Sequence, residues 1–170
     1  MPIQRLNHAV LFVRDVARSV AFYRQALDFT VIAGGDEFPG AAFLRASGST
    51  NDHDLGLFQL GPEAGPSEAG KTTVGLYHLA WEVDTLSELQ QIAARLTELG
   101  ALVGASDHST TKALYAKDPD GLEFEVSWLV PANLLTEEMK AKRNKISRLD
   151  LTREVERFGA QTKGGVGISV

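Results

Sequence analysis

Two apolar strings, LNHAVLFV (6–13) and LYHLAWEV (76–83), each carry a histidine in third place, His8 and His78, and a third string, LEFEVSWL (122–129), carries Glu125. Polar groups are costly on half-buried strands unless something pairs with them. Two neutral imidazoles and one carboxylate presented from a rigid sheet suit a divalent first-row metal. With one face left open, they form the ligand set of a non-haem Fe(II) oxygenase. A lone strand histidine is more often a satisfied core residue; the combination, with both histidines at matching places, carries the metal reading. The chain has no cysteine, so thiolate zinc sites, cysteine nucleophiles and disulfides are excluded.

The remaining histidines lie near the same strings. In DHSTTKALYAKDPDGLEFEV (107–126), His108 and Tyr115 precede a tight turn, Asp118-Pro119-Asp120-Gly121, that leads into Glu125. His53, in STNDHD, shares strand parity with Leu55 and is expected on the same face. On this reading all four histidines converge on one cavity.

The elements that position these residues follow from periodicity. Alternation predicts a strand over 6–13, with His8 on the face of Val10 and Phe12. A helix over 15–29 follows, with Asp15 as N-cap and Val16, Val20, Tyr23 and Leu27 at helical spacing. Strands are expected at 30–34, 40–46 and 54–60, and the Gly-, Pro- and Ser-rich stretch 61–74 reads as a surface loop. The pattern then restarts: a strand over 76–83, an amphipathic helix over 85–100 stopped by Gly100, and strands over 101–105, 112–118 and 122–129.

The two halves superpose at an offset of 70 residues, which puts Leu6 on Leu76, His8 on His78 and Val13 on Val83. Each reads strand, helix, strand, strand, strand. The fold class expected is α+β: two βαβββ modules, about 4–60 and 75–130, forming a partly open curved sheet around a metal site within one domain, 1–130. Residues 131–170 form a charged helical extension, with one or two peripheral helices in 136–160, and GGVGISV is expected to be loose or partner-bound. The repeat places Leu55, 47 residues after His8 as Glu125 is after His78, where a fourth ligand could have been. An apolar residue there leaves the metal an open position, as catalysis requires. A slip of one residue would substitute Asp54.

The bulk properties narrow the partners. A formal net charge of -5 argues against nucleic acid, since a phosphate-tracking surface needs a positive excess. No apolar run reaches the roughly 20 residues of a membrane span, and the first residues lack the plan of a secretory signal. A cytoplasmic protein is expected.

Residues 6–130 resemble the vicinal oxygen chelate superfamily, which includes glyoxalase I, bleomycin and fosfomycin resistance proteins and extradiol catechol dioxygenases. His108, Leu114-Tyr115, Asp118-Pro119, Gly121 and Glu125 are similar, in type and spacing, to the extradiol signature. Asp107 departs from it, standing where Gly, Asn, Thr, Ile or Val is usual. The resemblance is to a single-module extradiol dioxygenase. It implies Fe(II), with Mn(II) as the alternative, bound by His8, His78 and Glu125. It further implies His53 as acid–base residue, His108 and Tyr115 as hydrogen-bonding groups at a catechol-type substrate, O2 as co-substrate, and a homodimer or higher homo-oligomer. Phe43, Trp81 and Trp128 are available as a ring-binding wall. The alternatives on the same scaffold are a glyoxalase-like or fosfomycin-resistance-like isomerase or transferase, and a metal-free small-molecule-binding protein.

Overall fold

The two longest helices begin and end where their sequences provide a cap. In the computed structural model, which describes residues 2, 3 and 5–165, Asp15 accepts from the Arg18 amide at the start of α1 (Val16–Leu27). Asp28 closes the helix in the left-handed conformation. Helix α2 (Leu86–Glu98) opens on a reciprocal capping box between Thr85 and Glu88, and Gly100 follows at φ 65°. The face that α1 buries carries Ser19, Phe22, Tyr23 and Ala26. Of the four residues expected from spacing only Tyr23 is among them, because fully buried Ser19 rotates the inward stripe away from Val16 and Val20.

The chain divides into two compact units. The first runs through Ser67 and includes Asp118–Gly121; the second comprises Glu68–Lys117 and the chain from Leu122 onward. In the first unit, strands β1 (Ala9–Val13), β2 (Thr30–Gly34), β3 (Ala41–Arg45) and β4 (Leu55–Gln59) form a sheet of order β1-β4-β3-β2. Strand β1 runs parallel to β4, and the other pairs are antiparallel. Leu11, Val13, Leu44, Leu55 and Leu57 supply one buried face, with α1 packed on β3 and β4. Alternation sends Val10 and Phe12 the other way, where both are exposed. The turn Asp118–Gly121 belongs to this unit. Arg14 Nη1 pairs with Asp120 Oδ1 at 2.7 Å, the Tyr23 hydroxyl donates to Asp118 Oδ2 at 3.2 Å, and Gly121 takes φ 84°.

The second unit repeats the plan. Strands β5 (His78–Glu82), β6 (Leu102–Asp107), β7 (Thr111–Lys117) and β8 (Glu123–Leu129) are joined by a short ninth strand, β9 (Ser147–Arg148), in the order β5-β8-β7-β6-β9. Strand β5 is parallel to β8, and its neighbours are antiparallel. The α+β class and the βαβββ repeat are as expected, with the strands divided between two sheets of four and five. The stretch 61–74 holds no strand or helix beyond a single bridge.

The chain after Pro131 packs within the second unit. Helix α3 (Glu137–Ala141) precedes β9, and α4 (Leu151–Phe158) lies against α2. Under α4 sits Lys112, fully buried, with Asp107 at 2.6 Å and Glu154 at 3.0 Å. Trp128 is likewise fully buried beside Phe158 and donates to the Thr162 carbonyl at 3.2 Å. Of the terminal segment, Gly164 donates to Asp84 and Gly165 to Leu129; residues 166–170 of GGVGISV lie outside those described. Removing the buried cation leaves two carboxylates facing each other across the core. Lys112→Met is therefore expected to cost about 3–5 kcal/mol in a urea unfolding curve, and a cost below about 1 kcal/mol would show that the ion pairs do not hold α4.

Candidate metal and substrate site

The register of the second sheet decides which side chains meet. Ala80, Glu125, Tyr115 and Gly104 form one transverse row across β5, β8, β7 and β6. His78 lies two residues before Ala80, so it shares that face at the end of β5. The opposite face carries Phe124, Val126, Trp128, Leu114 and Ala116, all buried. The chemical residues therefore occupy the side of the sheet away from the core.

On that side His78 Nε2 stands 3.4 Å from Glu125 Oε2. This is longer than a good hydrogen bond, but it is the separation expected of two donors sharing one cation at about 2.0–2.2 Å each. His78 Nδ1 is buried without a hydrogen-bond partner. The pair could hold a divalent metal between its two donor atoms. Among the described residues no group of three or more His, Asp or Glu side chains is gathered where a metal could sit.

Tyr115 stands over this pair. Burial pushes its phenol up to about 12, helped by the charge of Glu125, which its hydroxyl also hydrogen-bonds, and by Tyr77 and Glu123. It is therefore a proton donor throughout the neutral range. Its oxygen lies 3.1 Å from His108 Nε2. With the phenolic O–H donating to the Glu125 carboxylate, His108 Nε2–H donates to the Tyr115 oxygen, which leaves His108 Nδ1 for other partners. His108, Tyr115, Glu125 and His78 thus form one connected polar group. Residue spacing gives no sign of Tyr77, which also adjoins His78. Its ring lies 4.6 Å from that of His78, and its exposed phenol is pushed up chiefly by the charge of Glu123, which its hydroxyl also hydrogen-bonds. Strand alternation would have turned Tyr77 to the far face, but β5 starts only at His78.

In the first unit His8 immediately precedes β1 rather than lying inside it, and its side chain is exposed. Its Nδ1 is 2.7 Å from Asn7 Oδ1, and its ring is 4.5 Å from that of His53. The Asn7 contact places the His8 proton on Nδ1 and leaves Nε2 free to ligate. His53 precedes β4, in a loop, with Nδ1 2.9 Å from Asp52 Oδ2 and its ring edge-on to Phe43 at 5.1 Å. A carboxylate on Nδ1 leaves Nε2 as the basic atom.

The parity argument linking His53 to Leu55 fails, because His53 is outside the strand; Leu55 is fully buried on the core face of β4. The residue in register with Val10, as Glu125 is with Ala80, is Gly56. The row Val10, Gly56, Phe43, Ala33 thus matches Ala80, Glu125, Tyr115, Gly104. The counterpart of Glu125 has no side chain, and the counterpart of Tyr115 is Phe43. A Cβ at Gly56 would meet Val10 Cγ2 at 3.3 Å and Phe43 at 3.6 Å. Of the three aromatic candidates for a ring-binding wall, Phe43 lies beside His53; Trp81, half-buried and paired with Val126, turns to the face opposite Glu125 and Tyr115, and Trp128 is fully buried under the C-terminal segment, so neither tryptophan is available.

The profile of the Glyoxalase/Bleomycin resistance protein/Dioxygenase superfamily matches residues 5–126. The chain belongs to that superfamily. A superfamily relative is the catechol-2,3-dioxygenase of Bacillus subtilis (strain 168), 34% identical over 71% of this chain; the chain spans 40% of that protein's length. Among solved structures, a glyoxalase/dioxygenase from Nostoc punctiforme is 25% identical with a TM-score of 0.59, covering 73% of this chain and 90% of that one. The fosfomycin resistance protein FosX of Listeria monocytogenes, solved with Mn(II) and sulfate, superposes with a TM-score of 0.53 at 20% identity, over 82% of this chain and 99% of that one. That likeness carries the fold. The superfamily segment ends before the residues that build α3, β9 and α4.

Proposed function

We propose that this protein is an Fe(II)-dependent extradiol dioxygenase that opens the ring of a catechol-type substrate with O2. The observation that carries the reading is the connected group His108, Tyr115, Glu125 and His78 on one face of one sheet. A cation site adjoining two hydrogen-bonding groups is what a vicinal diol requires. The relationship to a catechol-2,3-dioxygenase supports the same reading.

In this proposal His78 and Glu125 bind the metal, and the resemblance to the extradiol signature adds His8 as third ligand. Fe(II), or Mn(II) in its place, would chelate the two diol oxygens and allow electrons to pass between ring and O2. The protein's side chains do the rest. His53 takes a proton from the diol on Nε2 while Asp52 steadies the imidazolium through Nδ1. On substrate binding Tyr115 turns its O–H from Glu125 to a substrate oxygen as charge develops, and His108, donating Nε2–H to the Tyr115 oxygen, supports that donor. Phe43 supplies apolar area for the ring.

Gly56 favours this reading over a glyoxalase-like isomerase, which would want a second carboxylate at the repeat position. A metal-free binding protein would have no need of the His78–Glu125 pair. No described helix is long and apolar enough to cross a membrane, and a small soluble diol, cytoplasmic residence and self-association remain parts of the proposal. The test is 18O labelling: Fe(II)-loaded protein given catechol under 18O2 is expected to yield a ring-opened semialdehyde acid with one labelled atom in the carboxylate and the other in the aldehyde. Metal-loaded protein that forms no such product, but turns over a thiol adduct of an aldehyde or an epoxide, would replace dioxygenase with isomerase or transferase.

A further inference from the structure

The departure of Asp107 from the extradiol signature and the buried ion cluster beneath α4 are one feature. Asp107 Oδ1 accepts both from Lys112 Nζ, at 2.6 Å, and from the Ser109 amide, at 2.7 Å. Lys112 Nζ also donates to the Ser109 carbonyl, at 3.2 Å, and stands 3.0 Å from Glu154 Oε2. Ser109 has φ 67°, a left-handed conformation that a serine adopts only when its surroundings enforce it. The three hydrogen bonds among Asp107, Ser109 and Lys112 hold it there. Between Asp107 and Ser109 lies His108, its backbone closed by hydrogen bonds with Thr111 and Thr110 and its Nε2 on Tyr115. Register completes the arrangement: Lys112 points to the core face under α4, while the turn it braces places His108 at the polar face.

We propose that Glu154, in the segment beyond the superfamily match, is a positioning residue for His108, acting through Lys112 and the Asp107–Ser109 turn. The inference rests on the functional reading above only for the consequence in turnover; the placement of His108 stands apart from it. Glu154 is fully buried and its helix carries Arg153 and Arg157 beside it. Losing its charge would free Lys112 to follow Asp107 alone and would relax the αL turn. Strand β9, paired to Ser106 and Asp107, closes the same edge. The C-terminal segment thus clamps the His108 turn from two sides.

The test uses the full chain with Glu154→Gln, with exposed Glu156→Gln on the same helix as control. The readout is the His108 imidazole signal in a 1H–15N spectrum, assigned with His108→Ala. In the parent protein this signal is expected to shift on Tyr115→Phe. In Glu154→Gln that response is expected to vanish while the His78 signal stays in place, and kcat for a catechol is expected to fall about tenfold with KM and metal content unchanged. Glu156→Gln is expected to behave as the parent. A His108 signal that keeps its position and its response to Tyr115→Phe in folded Glu154→Gln would overturn the proposal. If Glu154→Gln does not fold, the double variant Lys112→Met/Glu154→Leu removes both charges together, and retention of the His108–Tyr115 response there overturns the proposal equally. Absence of ring cleavage in the parent protein would reject the dioxygenase reading, and the imidazole signals would still decide the placement of His108.

Discussion

Protein carrying Glu125→Gln is expected to emerge from desalting without bound Fe(II) or Mn(II), while the parent retains about one equivalent. The change is nearly isosteric, and the amide oxygen can still accept from Tyr115, so the sheet should be undisturbed. What is lost is the anionic donor 3.4 Å from His78 Nε2. Outer-sphere changes alone weaken metal sites by about 10–100-fold, so loss of a direct ligand should exceed that range. His78→Ala should do the same. Metal analysis after equilibrium dialysis gives the answer, and full occupancy in Glu125→Gln would remove this carboxylate from the ligand set.

Loss of turnover with the metal retained is expected for His53→Ala and Tyr115→Phe. A positioned base is worth about 10²–10⁴ in rate, and His53 has the features of one: Nδ1 engaged by Asp52 at 2.9 Å and Nε2 open. A donor aimed at developing charge is worth about 10²–10³. Tyr115 qualifies because its phenol is pushed up to about 12 and keeps its proton at working pH. Both variants should match the parent in metal content and in thermal unfolding. A His53→Ala protein with the parent's kcat would transfer the base function elsewhere.

The residues that the sequence made legible are those whose placement depends on local periodicity. The tight turn 118–121 put Tyr115 and Glu125 on adjacent strands, and the two are direct register partners. Caps at Asp15 and Thr85 marked the helix starts. Four features were not legible, each for a definable reason. His53 was assigned by parity, which has no meaning outside a strand. Counting between repeats reached Leu55 instead of Gly56, because the halves differ by one residue between their first and last strands. The Lys112–Glu154 pair joins a strand to a helix distant in sequence, and a buried lysine in KALYAKD is indistinguishable there from an exposed one. Trp128 was open to a role at the substrate for the same reason, since only the packing of the C-terminal segment reveals that it is enclosed.

The central claim is that the His78–Glu125 pair and the adjoining donors serve oxygen-dependent ring opening. The most direct measurement is oxygen consumption by anaerobically Fe(II)-loaded protein offered catechol, a 3-alkyl catechol and 2,3-dihydroxybiphenyl. The account predicts one O2 consumed per diol, with a yellow ring-fission product, for at least one of the three. Loaded protein that binds these diols and consumes no oxygen would contradict it.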